Sequence, residues 1–206
     1  APRRLSPRDI ALLASMNVSE IRVYKKPIVA LISTGDELVM PGDVPSEDQI
    51  IASNTFGLYA QLTAWGAHPR ILPIAKDNIA SIQTAFDFAS DADLIVTIGG
   101  ASVGDHDLVG AAASEMGLKQ KFYKVRMRPG KPLMSGLLGN IPLIGLPGNP
   151  VSAMVCGEVF LKPVIDKMMG LPSHERVRQS AVLEHDIGQN ANREHYMRAR
   201  LSAGKI

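Results

Sequence analysis

The sequence lacks the features of a secreted or membrane-spanning protein. Its 206 residues include a single cysteine, Cys156, so no disulfide can form within the chain. Such cysteine usage is typical of a reducing compartment, and the expected location is cytoplasmic. The longest apolar runs fall far short of the ~20 residues that a membrane-spanning helix needs. The five histidines show no spacing typical of zinc ligands, so a zinc site is not expected.

One long stretch also lacks acidic side chains. Residues 116–157 contain no Asp or Glu and carry six cations, although the surrounding region, residues 27–170, has ten Lys or Arg against fourteen Asp or Glu. A basic stretch that includes Gly- and Pro-rich loops indicates a small anionic ligand. Nucleic acid and membrane are therefore not expected partners. The alternative interpretation is a solvated, charged strand.

Apolar strands alternate with helical patterns through the middle of the chain. Three apolar runs, IVALIS (28–33), DLIVTIG (93–99) and IPLIGL (141–146), are typical of strands buried on both faces. The pattern predicts an α/β fold with a three-layer, mainly parallel sheet and helices on both faces. RILPIA (70–75) and EIRVYKKP (20–27) are predicted as further strands.

Capping residues predict the helix boundaries. Ser6 and Pro7 are typical of a helix start, and Asn54 is predicted to cap a helix that runs through Trp65 and ends at Gly66. A last helix is predicted to reach about Met169.

The flanks of this region have a different character. Residues 1–26 are expected to be the end of an upstream domain, and residues 27–170 form the α/β domain. Residues 171–206, with the alternating segments VRQSAVLEHD and HYMRARLSAGKI, are expected to begin a C-terminal β-domain.

The loops that follow the predicted strands carry the candidate acids, because ligands of parallel sheets bind beyond the carboxyl ends of the strands. Thr34-Gly35-Asp36-Glu37 places two adjacent acids where Mg²⁺ would find carboxylate oxygens. The alternative is a capping box formed by Thr34 and Glu37 at a short turn. Asp77, after the second strand, is expected to cap the next helix rather than bind a ligand.

A glycine-rich loop follows the third strand. Glycines let the backbone approach a ligand closely, and successive N–H groups at a helix start favour an anion. The loop matches neither a Walker sequence nor a dinucleotide fingerprint. Its candidate residues are Gly99, Gly100, Ser102, Gly104 and Asp107, and the last of these begins a predicted helix.

Two proline-containing turns complete the set. In RPGKP (128–132) the prolines stiffen a turn that carries two cations, which suits a small oxyanion. In PGNP (147–150) the asparagine is predicted to cap the last helix, whose free N–H groups also favour an anion. The predicted anion-binding residues of these turns are Arg128, Lys131, Pro147, Gly148, Asn149, Pro150 and Ser152, the last facing inward.

Four motifs in order, TGDEL (34–38), GGASVGDHD (99–107), RPGKP (128–132) and GLPGNPVSA (145–153), resemble those of the molybdopterin molybdenumtransferases. This is the MoeA family, whose eukaryotic relatives include the gephyrin E domain. The resemblance implies a molybdopterin-binding α/β domain and a homodimer whose partner completes the cleft. It implies a reaction that inserts molybdenum from molybdate into adenylylated molybdopterin, with Mg²⁺ as cofactor and AMP as product.

The resemblance also implies residue roles. Arg128, Lys131 and Ser152 match positions that line a molybdate pocket, where Arg128 is commonly a lysine in the family. The acids match positions around the catalytic cleft. The implied catalytic residues are Glu37, Asp77 and Asp107; the candidate metal ligands are Asp36, Glu37 and Asp107; Thr34, Gly35, Gly99, Gly100, Ser102 and Gly104 join the substrate-binding set.

Related folds leave alternatives open. Molybdopterin adenylyltransferases share this domain and its Gly-Gly loop, and CinA-like proteins use a similar domain in nucleotide metabolism. An adenylyltransferase is also an expected partner, because it would supply the adenylylated substrate. The third alternative is a non-catalytic scaffold of the gephyrin kind.

Overall fold

The computed structural model describes residues 2–100, 107–172, 179–189 and 191–202. Its helices are α1 (Pro7–Ser15), α2 (Ser53–Trp65), α3 (Ile79–Phe88), α4 (Leu108–Glu115), α5 (Pro150–Cys156) and α6 (Lys162–Met168), with a π-helical turn, Gly157–Leu161, between the last two. Its strands are β1 (Ile28–Ser33), β2 (Leu38–Val39), β3 (Ile50–Ile51), β4 (His68–Ile71), β5 (Leu94–Ile98), β6 (Lys119–Tyr123), β7 (Met127–Arg128), β8 (Met134–Leu138), β9 (Ile141–Leu146) and β10 (Glu194–His195).

Six strands form the central sheet in the order β4-β1-β5-β9-β8-β6. The first four are parallel to one another, and β8 runs antiparallel to both of its neighbours. Three of the parallel strands, β1, β5 and β9, are the predicted apolar runs, and β1 and β5 are buried along almost their whole length. The predicted mainly parallel sheet is therefore confirmed.

Helices cover both faces of this sheet. Successive side chains of β1 point to opposite faces. Val29 and Leu31 belong to the core cluster that includes residues of α2, α5 and α6, whereas Ala30 and Ile32 belong to the cluster that includes residues of α3 and α4. The predicted three-layer arrangement is confirmed.

Most predicted helix boundaries are confirmed. Ser6 caps α1 in a capping box with Asp9, and Gly66 ends α2 with a left-handed φ of 100°. One cap is wrong: the residue before α2 is Ala52, which makes no side-chain capping bond. Asn54 lies inside the helix, and its amide has another partner that is described below.

Two predicted strands differ in the structure. EIRVYKKP (20–27) forms no strand, and its alternating side chains Ile21, Val23 and Tyr24 are all exposed. Alternation alone is a weak signal, and the position beside β1 is occupied by β4. RILPIA shifts to His68–Ile71, because Pro73 has no N–H to continue the ladder.

The region after residue 171 contains one short strand among its described residues. β10 pairs in parallel with β7, through Glu194 with Met127 and His195 with Arg128. The predicted strand in VRQSAVLEHD does not form over the described residues 179–186. In the part of the chain that the structure describes, no helix is both long and apolar enough to cross a membrane.

Candidate active site

Three of the predicted loops meet at one edge of the sheet. They follow β1, β5 and β9, which are adjacent and parallel, so their carboxyl ends coincide. Backbone hydrogen bonds continue past the ends of the strands. The N–H of Thr34 donates to the carbonyl of Ile98 at 3.1 Å, and the N–H of Gly99 donates to the carbonyl of Leu146 at 3.2 Å.

Glycines allow these loops to approach one another at backbone distance. A Cβ atom at Gly99 would lie 2.8 Å from the carbonyl oxygen of Thr34, and one at Gly100 would lie 2.7 Å from its hydroxyl. Both glycines have left-handed φ angles, 90° and 66°. Gly100 also packs against Val109 of α4, and Gly148 packs against Gly99. A larger side chain would separate the loops.

Thr34 lies at the centre of this contact. Its residue surface is 3% exposed, and its Oγ1 has no hydrogen-bond partner among the described residues. Because this hydroxyl accepts no hydrogen bond from the Glu37 N–H, the alternative of a capping box with Glu37 is wrong. A cavity of about 90 Å³ opens beside Thr34 and is also lined by Glu37, Asn54 and Gly148. A buried hydroxyl without a partner is costly, and a bound ligand would satisfy it.

The acids after β1 and β4 lie close together. The N–H of Asp77 donates to Oδ1 of Asp36 at 3.2 Å. The Glu37 carboxylate folds back over Gly35, where a Cβ atom would lie 2.5 Å from its Oε2. The predicted capping role of Asp77 is wrong, because Asn78 caps α3 by accepting the Ser81 N–H at 2.9 Å.

The adjacent carboxylates of Asp36 and Glu37 have the chemistry that Mg²⁺ requires. Mg²⁺ is held in proteins by one or two carboxylates together with substrate phosphates and waters. Within the described ranges, no three His, Cys, Asp or Glu side chains form a group that could hold a metal ion. The residues present therefore fit a metal that arrives with a phosphate-bearing substrate rather than one enclosed by protein ligands alone.

Asp107 occupies the start of α4. Its Oδ1 accepts the Gly110 N–H at 2.8 Å and caps the helix, which begins where the sequence predicts. Burial and the Asp107 carboxylate raise the pKa of Tyr123 above its ordinary value. The predicted residues Ser102 and Gly104 lie outside the described residues.

The basic turn, residues 128–131, carries its two cations on the surface. Arg128 and Lys131 are exposed, and neither forms an ion pair with any side chain that the structure describes. The backbone closes the turn, because the N–H of Val125 donates to the carbonyl of Lys131 at 3.0 Å. Both cations are therefore available to an anion.

Gly130 seats this turn on the last helix. A Cβ atom there would lie 2.5 Å from Sγ of Cys156, and its φ of 115° is left-handed. Burial raises the pKa of the Cys156 thiol to about 12, so it stays protonated and acts as packing. The basic turn is thus held against α5, the helix that PGNP opens.

PGNP forms the helix cap that the sequence predicts. Asn149 accepts the Ser152 N–H at 3.2 Å, and Pro150 is the first helical residue. The Ser152 hydroxyl also donates to Asn149 Oδ1, at 3.3 Å. The Nδ2 of Asn54 donates to the carbonyl of Gly148 at 2.6 Å, which ties α2 to this turn.

Sequence reasoning missed several of these contacts. Asn54 was expected to be a cap, and Tyr123 was given no role. The buried pair formed by Ser33 and Thr55, with hydroxyl oxygens 2.5 Å apart, was also missed. One signal was present: a serine ends the otherwise apolar run IVALIS, and buried polar side chains need partners.

A larger and more open cavity lies elsewhere. Its volume is about 590 Å³, and it is lined by the N-terminal segment and the ends of α2 and α6, including Arg22, Tyr24, Gly66 and Met169. Of the predicted site residues that the structure describes, none lines it. The candidate site is therefore placed by its chemistry and not by cavity size.

Comparison with known proteins shows the family of this chain. The family profile described as a probable molybdopterin binding domain matches residues 30–167. This chain belongs to the molybdopterin-binding domain family. The matched range contains all three loops at the sheet edge and the basic turn.

Individual relatives are similar over nearly the whole chain. A molybdopterin molybdenumtransferase of Nostoc sp. is 36% identical over 202 residues, which are 96% of this chain and 46% of the relative. Molybdopterin molybdenumtransferase 2 of Mycobacterium tuberculosis is 36% identical over 203 residues, 96% of this chain and 50% of the relative. This chain therefore spans about half the length of these curated relatives.

A solved structure is similar in fold. The molybdopterin biosynthesis MoeA protein from Pyrococcus horikosii superposes with a TM-score of 0.86 at 27% identity, over 98% of this chain and 50% of that one. The structural similarity extends beyond the α/β sheet to the described flanking residues.

Proposed function

We propose that this chain is the molybdopterin-binding part of a molybdopterin molybdenumtransferase. The reaction inserts molybdenum from molybdate into adenylylated molybdopterin and releases AMP. The observation that carries this proposal is the meeting of the acidic loops and a buried hydroxyl, unpaired among the described residues, at the carboxyl edge of a parallel sheet. The basic turn leads into β8, whose first residue, Met134, pairs with Gly145 near the end of β9. The names of the curated relatives support this reaction over the adenylyltransferase, CinA-like and scaffold alternatives.

The charges of the site suit the substrates. A pterin phosphate, a nucleotide phosphate and molybdate are all anions, so bringing them together requires fixed positive charge. Arg128 and Lys131 are free to supply it, and the stiff turn holds them with little loss of side-chain order on binding. The N–H groups at the start of α5 add partial positive charge at the PGNP turn.

The acids have a complementary role. Asp36, Glu37 and Asp107 would hold Mg²⁺ together with substrate phosphate oxygens. When bound, the metal would neutralise charge on the phosphates. Glu37, Asp77 and Asp107 would position the nucleophile, an oxygen of water or molybdate, for attack on phosphorus as the bond to the AMP leaving group breaks.

The test of this function is a charge deletion in the protein expressed from the complete gene. Lys131→Ala should abolish molybdate-dependent cofactor formation while the thermal unfolding midpoint stays unchanged, because the side chain is exposed. Lys119→Ala, another exposed lysine of the same acid-free stretch, should retain activity. Unchanged molybdate dependence in Lys131→Ala would overturn the assignment.

Further parts of the proposal concern the intact protein. Residues 27–170 are the molybdopterin-binding domain, and the residues on either side belong to neighbouring domains. The protein acts as a cytoplasmic homodimer with Mg²⁺ as cofactor, and it receives its substrate from a molybdopterin adenylyltransferase. Light scattering of the complete protein tests the homodimer, since a monomeric mass at all concentrations excludes it.

A further inference from the structure

Asn54 joins helix α2 to the PGNP turn (147–150). It lies in the first turn of α2, and its Nδ2 donates a hydrogen bond to the carbonyl of Gly148 at 2.6 Å, across 94 residues of sequence. Two of the four residues of the PGNP turn are prolines, which have no N–H to donate. The turn can therefore make few backbone hydrogen bonds of its own, and the Asn54 amide supplies one from outside.

The same helical turn is fixed to the acidic side of the site. Thr55 follows Asn54, and its buried hydroxyl oxygen lies 2.5 Å from that of Ser33, the last residue of β1. The acidic loop TGDE (34–37) begins directly after this serine. The backbone adds a bond just before the helix, from the N–H of Ala52 to the carbonyl of Val39 at 2.9 Å. Neighbouring residues of one helix thus hold two of the segments from which the candidate site is built.

Close packing surrounds the bond from Asn54. A Cβ atom at Gly57, three residues further along α2, would lie 3.0 Å from Sδ of Met154 in α5. A Cβ atom at Gly148 would lie 3.3 Å from Cα of Gly99, in the loop after β5. The carbonyl that Asn54 binds therefore belongs to a residue that also contacts a second loop of the site.

We propose that Asn54 is a positioning residue for the anion site. Its hydrogen bond to Gly148 fixes the PGNP turn relative to the acidic loop after β1. With the turn it fixes Ser152, whose N–H and hydroxyl both donate to Asn149. The inference rests on the proposed function, in which this turn and Ser152 bind molybdate. Loss of the bond should therefore weaken molybdate binding and leave the chemical step intact.

Asn54→Ala removes the donor. In the protein expressed from the complete gene, KM for molybdate should rise about tenfold, which is the size of effect that one hydrogen bond typically has on an equilibrium. The value of kcat at saturating molybdate should stay unchanged. Asn140→Ala, in the exposed turn between β8 and β9, is the matched control and should leave both values unchanged. A wild-type KM in Asn54→Ala would overturn the positioning role.

Asn54→Asp tests the same bond with a side chain of the same shape. Its ionised carboxylate can only accept hydrogen bonds, so it repels the Gly148 carbonyl, and KM for molybdate should rise at least as much as in Asn54→Ala. Ser6→Ala is the control for stability, because it removes the cap of α1, a helix that contributes no residue to the candidate site. Its unfolding midpoint should fall while KM stays unchanged. An equal rise of KM in Ser6→Ala would show that lost stability alone explains the effect, and the proposal would be wrong.

Lys131→Ala distinguishes the possible failures. If it loses molybdate-dependent activity and both Asn54 variants raise KM alone, the positioning role is supported. If it loses this activity while both Asn54 variants keep the wild-type KM, or lower kcat instead, the positioning role is wrong and the proposed function stands. If Lys131→Ala keeps the wild-type molybdate dependence, the proposed anion site is overturned, and the role of Asn54 falls with it.

Discussion

The acidic loops and the basic turn of the candidate site are built in different ways. The loops after β1 and β5 are held by backbone contacts between neighbouring strands, such as the bond from Thr34 to Ile98. The basic turn follows the two-residue strand β7, and distant parts of the chain support it. Gly130 rests on Cys156 of α5, and β10 pairs beside Arg128.

This difference separates two kinds of sensitivity. The acidic loops depend on the absence of side chains at their glycines, and their geometry follows from the parallel sheet. The basic turn depends on how well one helix and one distant strand fit beneath it. Substitutions under the turn should therefore weaken anion binding without changing any charge.

The largest expected effect lies on the acidic side. Glu37→Gln removes the negative charge beside Gly35 and should lower cofactor formation about a hundredfold, a size typical of a lost acid or base. The control is Glu47→Gln, an exposed acid in the polar loop after β2, which should keep wild-type activity. Equal rates for the two variants in a steady-state assay would show that Glu37 is not catalytic.

On the basic side, Gly130→Ala should destabilise the fold without touching a charge. The left-handed φ and the collision with Cys156 Sγ together should lower the free energy of unfolding by roughly 2–4 kcal/mol, and KM for molybdate should rise. Gly139→Ala is the matched control, because its φ of 60° is also left-handed but no atom lies within 4 Å of the new Cβ. It should cost roughly 1–2 kcal/mol in denaturant unfolding.

The double variant Gly130→Ala with Cys156→Ala sharpens this result. Removing the sulfur should return part of the lost stability and of the molybdate affinity. If the free energy of unfolding of the double variant is lower than the sum of the two single changes predicts, Gly130 does not rest on Cys156.

Thr34→Val should trade activity for stability. Replacing a buried hydroxyl that has no partner in the described structure should raise the free energy of unfolding by about 1 kcal/mol, while substrate binding weakens. Thr97→Val is the matched control, since Thr97 is also fully buried and its Oγ1 lacks a partner in the described structure. It should gain similar stability and keep full activity. A stability loss in Thr34→Val would indicate that the hydroxyl is already satisfied.

The smallest effect concerns pH. Burial raises the pKa of Cys156 from its ordinary 9.0 to about 12, so the unfolded chain loses this proton first. Its contribution to stability is complete below pH 9 and is lost as pH rises from 9 towards 12. Cys156→Ala should therefore show a shallower fall of the free energy of unfolding across that window. Parallel curves for the two proteins in pH-dependent unfolding would contradict the burial of the thiol.

The sequence predicted the parts of this molecule that depend on local pattern. The runs in β1, β5 and β9 are continuous and apolar, and the carboxyl ends of parallel strands must share an edge. Asn149 and Asp107 cap helices by contacts within three residues, which a local pattern can reveal.

The missed features depend on residues far apart in the sequence. Asn54 binds Gly148, 94 residues away, although its position beside a helix start favoured a cap. The contact between Gly130 and Cys156 has no local signature either. EIRVYKKP (20–27) shows the opposite failure, because its local alternation predicts a strand that does not form.

The most direct test of the account is the position of bound molybdate. The complete protein would be crystallised with molybdate and AMP, and the molybdenum located by its anomalous scattering. The account predicts a molybdenum peak beyond the carboxyl end of β9, beside Lys131 and Ser152. A peak away from the strand ends, such as in the larger cavity beside Arg22, would contradict it.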